Sequence, residues 1–430
     1  MKLLRVEEKG FVRVWSRLLA RQPDSLPGVG TAVANIIARV RKGGDRALIE
    51  LTKRFDRVLL KPDQLVVSKS ELAAAAKKLG VKQRNSLRLA AKRIETFNRY
   101  VKEQSWLIPG AGGEILGQLV HPLARVGIYV PGGKACYPSS LLMNAIPARV
   151  AGVAELIVCT PPGQQARIDP ALAAAARICG VDTVVRVGGA QAIAALAYGT
   201  DSIPAVDKIV GPGNLYVTLA KKLVFGQVDI DLLAGPSEIL VIADETADIG
   251  FVAADLLSQA EHDQMACCLL LTPSERLARA VIQEVAVRLP ALASREIARQ
   301  ALQDNGAALV TKSLDQAVEL ANQLAFEHVS LATSHPWDIL PKIRNAGAVF
   351  LGHYTPEAVG DYMAGPNHTL PTGGTARFSS AVSVLDFIRR TSVIAFSQES
   401  LAGLKKDLIT LAELEGLPGH AQAVRERFKL

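Results

Sequence analysis

The chain contains the run Val126-Gly127-Ile128-Tyr129-Val130, followed at once by Pro131-Gly132-Gly133. This short apolar segment predicts a buried β-strand, and the Pro and Gly residues after it predict a tight turn. The same combination recurs downstream at Glu155-Leu156-Ile157-Val158-Cys159-Thr160, Thr183-Val184-Val185-Arg186-Val187 and Lys208-Ile209-Val210. Because an Ala-rich helical stretch follows most of these segments, the pattern predicts β-α-β units in a parallel sheet.

A second series of the same kind starts at Ser237-Glu238-Ile239-Leu240-Val241-Ile242-Ala243. Further strands are predicted at 266–272, 328–333 and 347–351. The first quarter of the chain instead has apolar residues at helical spacing, first up to Gly43-Gly44 and later over residues 82–102. We therefore predict two α/β units, each with an open parallel sheet, and a small helical appendage in roughly the last fifty residues.

The net charge of +8 comes from 49 basic and 41 acidic side chains in 430 residues. Part of this charge lies on the helix predicted at 82–102, at Arg84, Arg88, Lys92, Arg93, Arg99 and Lys102. A surface for nucleic acid would place aromatic side chains among such charges. Here Glu95 and Glu103 interrupt the patch, and Tyr100 is the one aromatic residue outside the apolar face. We predict a solvated helix face and no nucleic-acid partner.

Cysteine usage and hydropathy indicate the compartment. The five cysteines include no CxxC pair, and Cys267 and Cys268 lie in an apolar run, where a free Cys behaves as a small buried hydrophobe. The N-terminus carries charges too early for a signal peptide. No apolar stretch has the length of a membrane span. We predict a cytoplasmic protein in a reducing environment, with no membrane partner.

One turn-rich loop carries a carboxylate and an imidazole: Gly360-Asp361-Tyr362 is followed by Gly365-Pro366-Asn367-His368-Thr369-Leu370-Pro371. Gly and Pro at this density restrain the backbone, and long ordered loops usually carry function. Gln259 and His262 are three residues apart at the end of a predicted helix, so they should project from one face. Asp361, His420 and these two residues would make a nitrogen- and oxygen-rich set that suits Zn²⁺. Spacing alone favours the simpler alternative, in which they satisfy a helix C-terminus and a surface turn.

The dipeptide Glu327-His328 lies where a predicted helix ends and a predicted strand begins. Both side chains can act as general bases if the site tunes their pKa values toward neutrality. Adjacent residues on a strand point to opposite faces, so both can serve one site only if the backbone turns there. On sequence alone, a chance Glu-His pair is the more common explanation.

Two glycine turns, Gly188-Gly189-Ala190-Gln191-Ala192-Ile193 and Gly211-Pro212-Gly213-Asn214, lie between a predicted strand and a predicted helix. Backbone N–H groups at such turns can bind a phosphate. Neither turn matches GxGxxG, so the dinucleotide fingerprint is absent, and tight strand–helix packing explains them nearly as well.

Taken together, the chain resembles the histidinol dehydrogenase family from about residue 30 to the C-terminus. The resemblance rests on motifs that occur in order: Tyr129-Val130-Pro131-Gly132-Gly133, Tyr137-Pro138-Ser139-Ser140, Met143-Asn144-Ala145-Ile146-Pro147, the two glycine turns, Ala234-Gly235-Pro236-Ser237-Glu238, Gln259-Ala260-Glu261-His262-Asp263, the loop from Gly360 to Pro371, and Ala376-Arg377-Phe378-Ser379-Ser380. So many ordered motifs favour the functional interpretation of each candidate residue over its simpler alternative.

The resemblance implies an NAD-dependent four-electron oxidation of L-histidinol to L-histidine through histidinal, in the last steps of histidine biosynthesis. It implies the zinc ligands Gln259, His262, Asp361 and His420, and the catalytic acid/base pair Glu327 and His328. It further implies that Ser237, His328, Asp361, His368 and Glu415 contact the amino alcohol, which the zinc ligands hold through the metal. For the dinucleotide it implies contacts from Tyr129, Gln191 and Asn214.

The resemblance also implies two Rossmann-like parallel-sheet domains with small terminal, helical domains, assembled as a homodimer with exchanged C-terminal tails. On this basis we expect an N-terminal arm at 1–25 and a first Rossmann-like domain, with the zinc and catalytic residues, at 26–120 and 238–378. We expect a second, NAD-binding domain at 121–237 and a dimerisation tail at 379–430. One position departs from the family: Phe326 stands where a proline usually precedes the Glu-His pair.

Three other functions compete with this prediction. A paralogous zinc dehydrogenase could oxidise another small polar alcohol, such as a sulfonated diol, but His328, His368 and Glu415 suit an imidazole amino alcohol. A zinc hydrolase using Glu327 and a metal-bound water would leave Gln191 and Asn214 unexplained. A non-catalytic anion-binding protein would not need the His, Asp and Glu set. The histidinol dehydrogenase prediction leaves least unexplained.

Overall fold

The computed structural model describes residues 1–21, 28–132, 136–163 and 166–429. Gly133 of the first quoted turn, residues 22–27 at the junction of the predicted arm and first domain, and Leu430 of the predicted tail lie outside these ranges. The strands are β1 (Lys2–Arg5), β2 (Trp106–Pro109), β3 (Ile115–Pro122), β4 (Arg125–Tyr129), β5 (Glu155–Cys159), β6 (Thr183–Val185), β7 (Lys208–Val210), β8 (Asp229–Ile230), β9 (Glu238–Ala243), β10 (Cys267–Thr272), β11 (Gly306–Val310), β12 (His328–Ala332), β13 (Ala348–Leu351) and β14 (Ile388–Ala395).

The helices are α1 (Lys9–Leu19), α2 (Val29–Phe55), α3 (Lys69–Lys77), α4 (Val81–Val101), α5 (Pro138–Ala151), α6 (Pro170–Ile178), α7 (Gly189–Tyr198), α8 (Leu215–Val224), α9 (Ile249–Ala260), α10 (Glu275–Arg288), α11 (Arg295–Asp304), α12 (Leu314–Leu324), α13 (Pro336–Ile339), α14 (Glu357–Tyr362), α15 (Gln398–Leu414) and α16 (Pro418–Glu426). None of the helices in the described ranges combines the length and apolar character that a bilayer crossing requires. The five cysteines are free thiols.

The chain divides into two compact units. The first comprises residues 1–101 and 124–387, and the second comprises 102–123 and 388–430. Both parallel sheets belong to the first unit. This unit therefore contains the two open parallel sheets that the sequence predicted.

The first parallel sheet has the strand order β6-β5-β4-β7-β8. Its first four strands in sequence are those predicted from the apolar runs ahead of the glycine turns. The strand order reverses between β5 and β7, on either side of β4, and the carboxyl ends at such a point form the usual ligand crevice of an open α/β sheet. Tyr129 ends β4 and Gly211 follows β7, so the predicted dinucleotide residues lie at this crevice.

The second parallel sheet has the order β1-β11-β10-β9-β12-β13. Four of its strands, β9, β10, β12 and β13, were predicted from the sequence, and β11 was not. β1 was not, because the N-terminal residues were expected to form a separate arm; instead Lys2–Arg5 pair in parallel with residues 307–310 at the sheet edge. A four-residue edge strand is too short to show a periodic pattern, and its partner is three hundred residues away in the chain.

Helix α2 packs on the β4 sheet rather than on the β9 sheet. Its residues Val33, Leu48 and Leu51 are fully buried in one core with Ile193 and Leu196 of α7. This differs from the expected boundaries, which grouped residues 26–120 with 238–378. The helix contains a kink at Gly44, with φ +49 and ψ −136, at the point where the sequence predicted the first helical stretch to end. Glycine accepts that conformation without the steric cost of a Cβ atom.

The second unit contains an antiparallel sheet with the order β14-β3-β2 and the helical pair α15 and α16. Over its full length, β14 pairs with residues 115–122. The sequence predicted a helical tail from residue 379, and helices do form most of 398–426. The strand at 388–395 and its partner from 102–123 were missed, because pairing between such distant segments leaves no local signal.

Candidate active site

A buried polar cluster lies at the amino ends of β9 and β12, which are neighbours in the second sheet. Glu238 begins β9, His328 begins β12, and Glu327 directly precedes it. Gln259 joins them from the last turn of α9. Open α/β sheets usually bind ligands at the carboxyl ends of their strands, so this cluster occupies the less common edge.

His328 is held in one tautomer by the backbone. Its Nδ1 lies 2.9 Å from the carbonyl oxygen of Glu238. Because a carbonyl oxygen only accepts, Nδ1 carries the proton and the lone pair of the neutral ring is on Nε2. Burial lowers the pKa of His328 to about 4. The ring is therefore neutral at pH 7, as a general base must be before it takes a proton.

Glu327 is held by the same neighbour. Its Oε2 accepts the backbone N–H of Glu238 at 2.8 Å and lies 3.6 Å from Nδ1 of His328. Burial raises the pKa of Glu327 well above its usual value. Adjacent residues on a strand point to opposite faces, so Glu327 and His328 can share a site only if the backbone turns there. Ala325 supplies the turn, since it ends α12 in the left-handed region at φ +49.

Helix α14 brings two carboxylates to the cluster, Glu357 and Asp361, four residues apart on one helix face. One ligand atom from each of these and one from His328 all lie within 4.8 Å of one another. The hydrogen-bond pattern directs the amide nitrogen of Gln259 toward Glu357, where it donates to Oε1 and Oε2 at 2.5 and 2.9 Å. The same nitrogen lies 3.2 Å from Nδ1 of His328, but it makes no hydrogen bond there, because Nδ1 carries the proton that it donates to Glu238. Burial raises the pKa of Glu357 to about 9.

His262 lies just beyond α9, which ends at Ala260, and its side chain is exposed whereas that of Gln259 is buried. Burial lowers the pKa values of His328 and His368, and the nearby charge of His262 contributes a smaller effect in the same direction. With imidazole, amide and carboxylate groups on Gln259, His262 and Asp361, the donors of the first unit fit a zinc ion.

His368 is fixed within its turn-rich loop. Its Nδ1 donates to the backbone oxygen of Asp361 at 3.0 Å, and its Nε2 lies 3.3 Å from the hydroxyl of Ser140. The side chain of Asn367 ties the loop to α5 by donating to the oxygen of Met143 at 2.6 Å. Ser237 is half-buried immediately before β9.

Glu415 and His420 belong to the second unit. Glu415 caps the end of α15, and His420 lies in the first turn of α16. Both are exposed and border an apolar groove between these helices, lined by Leu401, Leu408, Leu411 and Val424. Their roles stay predictions.

Near the predicted dinucleotide residues, separate segments of the chain come into close contact at two places. The hydroxyl of Tyr129 accepts the N–H of Gly189 at 3.1 Å, and Gln191 is buried in α7. Gly211 has φ +110, and a Cβ there would lie 2.1 Å from the backbone oxygen of Tyr129. Asn214 caps α8 by accepting from two backbone N–H groups, which leaves its own NH₂ group for another partner. This glycine-lined crevice fits a nucleotide whose phosphates approach the backbone closely.

Comparison with known proteins identifies the family. The histidinol dehydrogenase family profile matches residues 19–428. The chain is 51% identical to the histidinol dehydrogenase of Syntrophotalea carbinolica over 429 residues, covering 100% of this chain and 99% of that protein. It is 50% identical to the Geobacter sulfurreducens histidinol dehydrogenase over 433 residues, covering 100% of both. The chain belongs to the histidinol dehydrogenase family.

The fold agrees with that of a solved member of this family. The crystal structure of histidinol dehydrogenase from Elizabethkingia anophelis superposes with a TM-score of 0.95 at 36% identity, covering 100% of this chain and 98% of that one. The predicted fold class, with two parallel-sheet layers and a small terminal helical region, is thereby confirmed.

Two residues of the cluster, Glu357 and Glu238, received no role from the sequence patterns or from the family resemblance. Glu357 was missed, although its spacing of four residues from Asp361 was a readable signal. Glu238 was quoted within a motif but received no role. Its importance depends on contacts with a segment ninety residues away, which no local pattern reveals.

Proposed function

We propose that this protein is an L-histidinol dehydrogenase, which oxidises L-histidinol to L-histidine through histidinal with two equivalents of NAD⁺, in the last steps of histidine biosynthesis. The observation that carries the proposal is the buried Glu327-His328 pair, with His328 held as a neutral base, in a chain about half identical to histidinol dehydrogenases over its whole length.

In this proposal His328 removes the proton of the substrate hydroxyl at Nε2, the nitrogen left free by the bond from Nδ1 to Glu238. Glu327 takes a proton from the water that hydrates the aldehyde, because its raised pKa makes it a stronger base than an exposed carboxylate. NAD⁺, when bound, accepts the hydride of each oxidation. The two bases thus divide the two steps between them.

We assign the zinc site to Gln259, His262, Asp361 and His420. Zinc, when bound, would hold the imidazole and amine of histidinol as a template. For Gln259, His262 and Asp361, support comes from their nitrogen and oxygen donor atoms in the first unit. The assignment of His420 rests on the family resemblance. Ser237, His328, His368 and Glu415 would contact the substrate, and the carboxylates of Asp361 and Glu415 favour its cationic amine.

The dinucleotide is proposed to bind at the carboxyl ends of β4, β6 and β7, with Tyr129, Gln191 and Asn214 as contacts. The close backbone approach at Gly211 supports this assignment. We further propose that the protein is cytoplasmic, which is consistent with its free cysteines. From the family resemblance we also propose a homodimer with exchanged C-terminal tails.

The test is the yield of NADH, measured by absorbance with limiting L-histidinol, with and without a zinc chelator. We expect about two NADH per histidinol, loss of activity on chelation, and recovery with added Zn²⁺. If fully zinc-loaded protein forms no NADH from histidinol, the substrate assignment is wrong, and another small polar alcohol becomes the candidate.

A further inference from the structure

A partly buried arginine from the N-terminal segment, Arg21, contacts the start of β9. The guanidinium of Arg21 donates from Nε to Oε1 of Glu238 at 2.6 Å and from Nη2 to Oε2 at 3.1 Å. The side chains of the pair are 11% and 4% exposed. Two further bonds, from Nη1 to the backbone oxygen of Leu18 and from Nη2 to that of Leu324, use two of the three remaining guanidinium donors. Such a two-pronged bond restricts both distance and angle.

Glu238, in turn, contacts both members of the proposed catalytic pair. Its backbone N–H donates to Oε2 of Glu327, and its backbone oxygen accepts from Nδ1 of His328. Its carboxylate accepts the backbone N–H of Glu327 at 3.4 Å and that of Gly373 at 3.1 Å. One residue therefore sets the position of the Glu327 carboxylate, the Glu327 backbone and the His328 ring.

The aromatic ring of Phe326 completes the arrangement. The ring is fully buried, and the guanidinium carbon of Arg21 lies 4.4 Å from its centre. Phe326 directly precedes Glu327, and its ring offers a face on which the guanidinium stacks.

We propose that Arg21, Glu238 and Phe326 form a clamp that positions Glu327 and His328 for catalysis. The clamp rests on the proposed function only in taking Glu327 and His328 as the catalytic pair. Its three members are positioning residues, since each acts through the pair and not on substrate.

The first test compares Arg21→Met, Arg21→Met/Glu238→Gln and the control Arg13→Met, which alters an exposed arginine of α1. We expect Arg21→Met to lower kcat roughly 10- to 100-fold while KM for histidinol changes less than about twofold. The reason is that the clamp contacts Glu327 and His328, whereas most groups proposed to hold the substrate, the zinc ligands and His368 among them, lie outside it. The control should match the wild type.

The double variant separates positioning from stability. Arg21→Met leaves a buried, unpaired carboxylate and should lower the unfolding midpoint, whereas the double variant leaves no unpaired charge and should recover much of that loss. We expect kcat to remain low in the double variant, since the amide of Gln cannot restore the two-pronged contact. Recovery of kcat together with stability would overturn the clamp, because the role would then be structural.

Amide hydrogen exchange of residues 325–330 gives a readout that needs neither substrate nor zinc. Exchange there should be faster in Arg21→Met than in Arg13→Met. If the wild type forms no NADH from histidinol but exchange still responds, the proposed function fails and the clamp stands. Unchanged exchange in Arg21→Met would overturn the clamp, whatever the substrate is.

Discussion

At the scale of single residues, the chemistry depends on burial and on which backbone groups face a side chain. His328 is a neutral base with a free Nε2 because Glu238 occupies Nδ1 and because burial lowers its pKa to about 4. The adjacent Glu327 shares the same backbone neighbour and has a raised pKa. Two neighbouring side chains thus become bases of different strength, which suits a reaction with two proton-transfer steps.

Glu327→Gln is expected to preserve the first oxidation and slow the second roughly 100-fold or more, because only the second requires water activation. Single-turnover NADH formation with histidinol should give a fast first equivalent and a delayed second one. The control Glu319→Gln changes an exposed residue of α12 and should behave as wild type. Equal loss of both steps would show that water activation is not the role of Glu327.

Glu357→Gln is expected to weaken metal binding about 10- to 100-fold, the usual effect of losing a group that orients a metal ligand. Glu357 accepts the NH₂ group of Gln259, so the amide oxygen of Gln259, its proposed metal-binding atom, points away from Glu357. The measurement is Co²⁺ titration of metal-free protein by absorbance, with the unfolding midpoint of the metal-free form alongside.

The matched control for this change is Glu261→Gln, whose exposed carboxylate at the same end of α9 accepts from Ser294 instead. It should bind Co²⁺ as the wild type does. Unaltered Co²⁺ affinity in Glu357→Gln, with a lower unfolding midpoint, would mean that Glu357 only stabilises the fold.

At the scale of elements, a buried ion pair holds the turn after β7 in place. The Asp231 carboxylate accepts the N–H of Gly211 at 2.7 Å, and the ammonium of Lys221 donates to the oxygen of Gly211 at 3.0 Å and to Asp231. The two side chains are 2% and 0% exposed. Helix α8 and the segment after β8 are thereby tied to the glycine turn that faces the proposed dinucleotide.

Lys221→Met is expected to destabilise the protein by about 3–5 kcal/mol, because Asp231 would be left buried without a partner. The KM for NAD⁺ should rise as the turn at Gly211 loses its anchor. Urea unfolding and NAD⁺ saturation curves measure the two effects. Lys222→Met, the same change at the exposed neighbour, is the control. A stable Lys221→Met variant with normal NAD⁺ binding would contradict the role given to the pair.

Most elements with a local signal were predicted, although β11, a buried and largely apolar strand, was not. The strands from β4 to β7 are buried apolar runs ended by glycine turns, and the structure has all of them. The missed strands β1 and β14 are an edge strand and a partner of a segment far away in the chain. Their formation depends on non-local pairing, which periodicity cannot report.

At the scale of the whole molecule, the candidate residues are divided between two compact units, with Glu415 and His420 in the second. If the C-terminal tails are exchanged, each site combines Glu327 of one subunit with His420 of its partner. Mixing two inactive variants distinguishes this arrangement from a site built within one chain.

Glu327→Gln and His420→Asn, each nearly inactive in forming histidine, should regain roughly a quarter of wild-type activity when unfolded and refolded together at equal amounts. Half the dimers then carry both variants, and one of their two sites has no altered residue. The measurement is histidine formation against each variant refolded alone. No recovery, with mixed dimers demonstrated by differential tagging, would indicate that His420 acts within its own chain.

The sequence by itself determined the α/β class, most strands of both parallel sheets and the family, because apolar runs, glycine turns and ordered motifs are local features. Only the tertiary structure decided that Arg21 and Glu238 contact each other beside the proposed catalytic pair, that Glu357 holds Gln259, and that His328 carries its proton on Nδ1. These facts depend on burial and on hydrogen bonds between segments up to 217 residues apart. Such contacts exist only once the chain has folded.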